Sequence, residues 1–134
     1  AELIAIHDGA RPLVRSEMID EMIRAGWQTQ AAAPSTPVTD TVKVADDDRW
    51  VASTPDRSTL YAVQTPQVFQ ANILKAALQA ALASGEPVTD DCAAVERLGK
   101  RVWLAEGDAE NIKITTPVDL IIVEALLRQR EDGR

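Results

Sequence analysis

One cysteine and one histidine occur in 134 residues, so neither an internal disulfide nor a zinc site of thiolates and imidazoles can be assembled. Any metal has to be held by oxygen ligands or arrive with a substrate. No apolar run approaches the about eighteen residues that a membrane-crossing helix needs. Ala1 to Ile6 carry no basic flank, so no signal or transit peptide is visible and a cytoplasmic protein is expected. Three Trp, one Tyr and one Phe leave little for a stacking platform on single-stranded nucleic acid. Basic residues are outnumbered, 14 against 21 acidic, and the net charge of −7 argues against general affinity for nucleic acid or anionic lipid. Screening over roughly 8 to 10 Å still allows a few Arg and Lys to form a local pocket for a phosphorylated small molecule. A Walker loop, a G-x-G-x-x-G turn and a G-x-S-x-G elbow are also lacking, and any serine triad would depend on His7.

The composition that remains, 46% hydrophobic and 26% charged, is that of one ordinary globular domain or a piece of one. Glu2 to Ile6 reads as a buried strand that runs directly into the polar loop His7-Asp8-Gly9-Ala10-Arg11-Pro12. Ser16 is expected to cap a helix over Glu17 to Gln28, with Met18, Ile19, Met22, Ile23 and Trp27 on its inner face. Ala31 to Ala33 reads as a short strand, with Pro34 and Pro37 barring a helix. Thr41 to Ala45 and Trp50 to Thr54 flank the polar tip Asp46-Asp47-Asp48-Arg49 as a hairpin would. Its weak core implies support from elsewhere, such as a second subunit.

Leu60 to Gln64 is another strand, ending at Thr65-Pro66-Gln67. A helix follows over Ala71 to Ala83 and stops at Gly85. Thr89 is expected to cap a short helix, Asp90 to Leu98, ended by Gly99, and Arg101 to Ala105 is strand-like. Thr116, Pro117 and Asp119 announce the last helix with a capping box. Strands alternating with helices define an α/β sheet with helices on both faces.

Ligands of open α/β sheets bind beyond the carboxyl ends of strands, where the His7 to Pro12 loop would lie. Asp8 suits a metal ion or a substrate hydroxyl, although an Asp8–Arg11 salt bridge across a turn is the commoner arrangement. Thr89-Asp90-Asp91 is a helix start and also an anion site in kind. Lys113, between Ile112 and Ile114, points away from both if the run is extended, into a cleft or into water. Arg57 beside Asp56 reads as a surface ion pair, His7 as structural and Cys92 as core.

Taken together, His7-Asp8-Gly9-Ala10-Arg11-Pro12, Val38-Thr39-Asp40-Thr41-Val42-Lys43, Asp56-Arg57, Gln64-Thr65-Pro66-Gln67-Val68-Phe69, Thr89-Asp90-Asp91 and Asn111-Ile112-Lys113-Ile114-Thr115 resemble the 2-C-methyl-D-erythritol 4-phosphate cytidylyltransferase family. Order and spacing fit over essentially the whole chain. The resemblance implies a Rossmann-like nucleotidyltransferase sheet with helices on both faces and a protruding β-hairpin arm, about residues 38–58, exchanged within a homodimer. The family's Gly-rich loop, with the Arg and Lys that cradle CTP, lies upstream of these motifs. The chain therefore resembles the C-terminal, larger part of the enzyme and is expected to be inactive without the rest.

Carried over by position, the resemblance places Asp8 at the polyol substrate and the Mg²⁺ that accompanies CTP. The backbone of Gly9 and Ala10, with Arg11, falls near the cytidine ribose. Thr41, Arg57 and Thr65 fall in the polyol phosphate site, with Arg57 positioning the phosphate in the neighbouring subunit. Thr89 and Lys113 complete the pocket, and Arg57 and Lys113 carry the catalysis. Two other readings stay open: a cytidylyltransferase for ribitol 5-phosphate, and a noncatalytic dimerisation module.

Overall fold

A computed structural model describes residues 2–133. The elements are β1 (Leu3–Ile6), α1 (Ser16–Thr29), β2 (Ala31–Pro37), β3 (Val44–Ala45), β4 (Val51–Ser53), a 3₁₀ turn (Arg57–Thr59), β5 (Tyr61–Val63), β6 (Gln67–Gln70), α2 (Ala71–Ser84), α3 (Asp91–Arg97), β7 (Trp103–Glu106) and α4 (Pro117–Asp132). The sheet is mixed. β1 runs antiparallel to β6, β6 antiparallel to β2, and β2 parallel to β7, so β1, β2 and β7 all point the same way.

β5 and β6 lie along the same edge of β2, β6 pairing with Ala31 and Ala32 and β5 with Ser35 to Pro37. They are one edge interrupted at Gln64-Thr65-Pro66. Pro34 sits opposite that gap: its carbonyl accepts from Gln64 N–H at 2.8 Å, so the donor that proline lacks falls on the same side, where the ladder is already broken.

The side-chain alternation of β2 divides the core. Ala31 and Ala33, with Phe69 of β6, face Leu74 and Ala77 of α2 and Ala94 and Val95 of α3. Ala32 and Val68 face Met18 and Met22 of α1 on the other side. Helices therefore cover both faces, as expected. Small alanines at the middle of the sheet let the helices come close, and at Gly26 the approach reaches its limit. A Cβ there would drive into Val68 Cγ1 and lie 3.2 Å from Val68 Cβ. Gly26→Ala is expected to cost about 1–2 kcal/mol, because overpacking outweighs the helix propensity gained. The urea midpoint would register it, and Val68→Ala in the same chain should restore part of the loss.

Several expected boundaries shift. Ser16 is the first residue of α1 rather than its cap; Arg15 takes the cap position without a side-chain bond to the helix backbone. Ile23 and Trp27 are exposed, because the buried stripe of α1 is Met18, Met22 and Gly26 at four-residue spacing. Asp90, not Thr89, caps α3, accepting from Ala93 N–H at 2.8 Å. Gln67–Gln70, assigned no element from the sequence beyond the Thr65-Pro66-Gln67 end of the preceding strand, is a buried strand. Gly85 and Gly99 close their helical segments at φ +68° and +80°, and the Thr116/Asp119 capping box is complete.

The hairpin of β3 and β4 stands off the sheet with every residue exposed, Trp50 74% so. α4 buries only Val123 and is tied instead by Arg130, which donates to the Leu13 carbonyl and to Glu110. No helix of the described residues is long and apolar enough to cross a membrane.

Cys92 is buried on α3 and donates to Gln67 Oε1 at 3.1 Å. Burial pushes its thiol up to about 12, with Asp90, Glu96 and Asp91 adding to the shift. The thiol is held protonated, so its contribution to stability is complete below the unfolded value near 9 and falls away as pH rises toward 12. At pH 8 the Cys92 peptide should be labelled by Ellman's reagent at least about 100-fold more slowly in the folded protein than in urea. Equal rates would show the α2–α3 layer to be open.

Candidate active site

The polar residues converge where the parallel strands end. A cleft of about 310 Å³ is lined by His7, Asp8 and Arg11 from the loop after β1, Val63, Thr65 and Gln67 from the β5/β6 interruption, Thr89, Asp90 and Asp91 at the start of α3, and Lys113. The broken edge strand is what turns Thr65 toward ligand space, while the buried Gln64 and Gln67 on either side anchor it.

Lys113 does not lie on an extended strand. It sits in a loop laid against the β1 loop by long-range bonds: the Arg11 guanidinium donates to the Asn111 carbonyl at 2.6 Å, and Ile114 N–H donates to the Ala10 carbonyl at 2.8 Å. Its Nζ is consequently 3.3 Å from Asp8 Oδ2. The expected Asp8–Arg11 bridge is replaced by this Asp8–Lys113 pair.

Asp8 is held below its ordinary carboxylate value, first by the Ala10 N–H donated to Oδ1 at 2.9 Å and then by Lys113. It remains an anion throughout the neutral range. Its stabilising contacts are present above the ordinary carboxylate pKa and are lost only as pH falls through the lowered value. Burial lowers the Arg11 guanidinium from its usual value, with Asp8 opposing.

Asn111, which sequence reasoning passed over, is fully buried at the hub. Its amide donates to the Thr65 carbonyl at 2.9 Å and contacts Gln64 Oε1 at 3.4 Å. Gln64 in turn binds the backbone of Asp108 through both its amide nitrogen and its oxygen. In the sequence it was visible only as the first residue of the Asn111-Ile112-Lys113-Ile114-Thr115 motif.

Asp8, Arg11, Thr65, Thr89 and Lys113 are thus brought together. Gly9 and Ala10 stand beside the cleft rather than in its wall, with Ala10 engaged through both its N–H and its carbonyl. Thr41 and Arg57 do not line it. Both are exposed at the base of the arm, where Arg57 donates to the Thr39 carbonyl at 2.8 Å. Asp56 bonds Ser58 instead of pairing with Arg57.

A parallel set of strands ending in a cleft, walled by one lysine, two hydroxyls and a carboxylate-bearing loop, is the layout of an α/β domain that receives a ligand at its strand ends. The chain belongs to the 2-C-methyl-D-erythritol 4-phosphate cytidylyltransferase family, whose family model matches residues 1–129. It is 53% identical over 128 residues to the protein of that name from Caldanaerobacter subterraneus subsp. tengcongensis, covering 96% of this chain and 56% of the relative. Among solved structures, 4-diphosphocytidyl-2C-methyl-D-erythritol synthase from Anaerococcus prevotii superimposes with a TM-score of 0.88 at 38% identity, covering 96% of this chain and 59% of that one. The 2-C-methyl-D-erythritol 4-phosphate cytidylyltransferase of Thermus thermophilus gives 0.86 at 36% identity, covering 96% and 63%. The chain spans about half the length of the curated relatives it matches.

Proposed function

We propose that the full-length protein containing this chain is a cytoplasmic, homodimeric cytidylyltransferase. It joins CTP to 2-C-methyl-D-erythritol 4-phosphate and releases pyrophosphate. A phosphate oxygen of the acceptor attacks the α-phosphorus in line, the bond to the β-phosphate oxygen breaks, and its electron pair leaves with pyrophosphate. The nucleophile is already an anion, so no general base is needed; bringing two polyanions together is the difficulty. The observation that carries this reading is Lys113, a cation set 3.3 Å from Asp8 at the strand ends with Thr65 and Thr89 across the cleft.

Among the described residues no group of three or more His, Cys, Asp or Glu could hold a metal ion. Asp8 is the carboxylate that would reach a Mg²⁺ carried by the nucleotide, an arrangement usual for that ion, which would neutralise phosphate charge. Asp90 is engaged as the α3 cap and by Gln67.

The cleft carries Asp8, Asp90 and Asp91 against Arg11 and Lys113. Three carboxylates and two cations make a poor phosphate cradle, so cations from outside this cleft are needed, and Arg57 on the exposed arm of a second copy is one of them. Mixing full-length Lys113→Ala with full-length Arg57→Ala tests this. If Arg57 acts across the dimer, about one site in four regains both groups and activity returns. Continued inactivity of the mixture, after subunit exchange is verified, would place Arg57 in its own subunit's site, and full activity of Arg57→Ala alone would place it outside the reaction. The activity itself is read as pyrophosphate release from CTP and Mg²⁺, with methylerythritol phosphate and ribitol 5-phosphate compared as acceptors. Preference for ribitol phosphate would overturn the substrate, and silence with both would overturn the enzyme.

A further inference from the structure

His7 holds both of its ring nitrogens against fixed partners. Nε2 lies 3.0 Å from the Arg11 carbonyl oxygen and Nδ1 lies 2.9 Å from Thr65 Oγ1. A carbonyl can only accept, so Nε2 carries the hydrogen. In the neutral ring Nδ1 is then an acceptor, and the Thr65 hydroxyl must donate to it. The backbone N–H of Asp8 donates to the same Thr65 oxygen at 3.1 Å. The only proton of Thr65 and one of its lone pairs are therefore engaged, leaving one lone pair to offer in the cleft that Thr65 and His7 both line.

A hydroxyl in that state accepts hydrogen bonds and cannot donate one to an anionic oxygen. We propose that His7 is a positioning residue that fixes Thr65 as an acceptor, and that Thr65 thereby recognises a hydroxyl of the polyol acceptor rather than its phosphate. The identity of the ligand rests on the cytidylyltransferase reading; the polarity of Thr65 does not. An anionic phosphate placed against Thr65 would meet a lone pair, leaving one of its own oxygens without a partner. Lys113 and the Thr89 hydroxyl, neither fixed as an acceptor, remain to meet phosphate. A site that pairs a substrate hydroxyl in this way rejects analogues lacking it far more strongly than an apolar wall could.

Two amide side chains separate the two halves of the imidazole's role. In His7→Asn the side-chain oxygen can take the place of Nδ1 and accept from Thr65. In His7→Gln the amide reaches toward the Nε2 position, keeping the Arg11 contact but leaving Thr65 free to turn. In the full-length enzyme at pH 8 with saturating CTP, His7→Gln and His7→Phe are expected to raise KM for the polyol phosphate about tenfold or more with little change in kcat. His7→Asn should recover KM to within about threefold of the parent. In a Thr65→Val background the three His7 substitutions should become equivalent. Equal damage from Asn and Gln, an unchanged KM in His7→Phe, or undiminished differences in the Thr65→Val background would each overturn the proposal.

A second readout does not depend on turnover. Nitrogen NMR of the full-length protein, with the His7 signals assigned by their loss in His7→Asn, should show protonation at Nε2 and a bare Nδ1 whose resonance shifts in Thr65→Val. A ring protonated at Nδ1 overturns the assigned polarity whatever the activity. The expected tautomer in a protein that releases no pyrophosphate would uphold that polarity and overturn only the polyol ligand, with the cytidylyltransferase reading itself.

Discussion

Replacing Lys113 by alanine in the full-length enzyme is expected to lower the turnover number about 100-fold or more, on the order of 3 kcal/mol of transition-state stabilisation. Lys113 is the one lysine in the cleft, half exposed, and the loop that carries it is fixed by backbone carbonyls and a buried Asn rather than by its own side chain. Truncation therefore removes a charge without moving the scaffold, and the thermal midpoint should stay within about 2 °C of the parent. The loss should appear in kcat as well as in kcat/KM, because the cation matters most where charge builds up on the departing pyrophosphate and the entering phosphate. Lys113→Arg should recover only part of the rate, since a planar fork does not sit where a compact ammonium did. Steady-state kinetics with both substrates varied decides it; an unchanged turnover number would remove Lys113 from the mechanism.

The second large effect concerns folding. Phe69→Ala is expected to destabilise the protein by about 3–5 kcal/mol, read as a fall in the unfolding midpoint of roughly 6–20 °C. Phe69 is wholly buried, and its neighbours Ala31, Ala33, Leu74 and Ala77 include three residues too small to fill the space left. Small neighbours cannot swing inward to close a cavity, so this site belongs at the costly end of the range. Phe69→Leu, which keeps most of the volume, should lose much less. A fall below about 1 kcal/mol for the alanine variant would mean that the α2–α3 layer collapses freely onto the sheet.

The sequence made some of this legible for identifiable reasons. The last helix was marked by three residues whose roles are local: Thr116 and Asp119 bond each other's backbone, and Pro117 needs no donor at its position. Gly85 and Gly99 were equally plain because left-handed backbone needs no knowledge of the rest of the chain. The caps of α1 and α3 were harder. Thr89, Asp90 and Asp91 are all competent caps, and the choice of Asp90 goes with its bond to Gln67, 23 residues away. Gln67–Gln70 escaped notice as a strand because Pro66 reads as a breaker and only Val68 and Phe69 are apolar.

At the site, the composition of the cleft was readable and its connections were not. Asp8, Thr65, Thr89 and Lys113 were named from their motifs and converge. The partner of Asp8 was misread, since a pair three residues apart looks more natural than Asp8 with Lys113, from the far end of the chain. Asn111 was passed over, and His7 read only as structural, because the Thr65 carbonyl and hydroxyl that they meet are brought near only by the folded chain.

The pairing of Lys113 with Asp8 also bears on what can enter the cleft. An incoming anion must compete with a carboxylate already fixed at 3.3 Å, not merely fill an empty positive socket. Half exposed, the pair is a weak one, so the internal anion weakens every anionic ligand a little while keeping the ammonium in place for whichever one arrives.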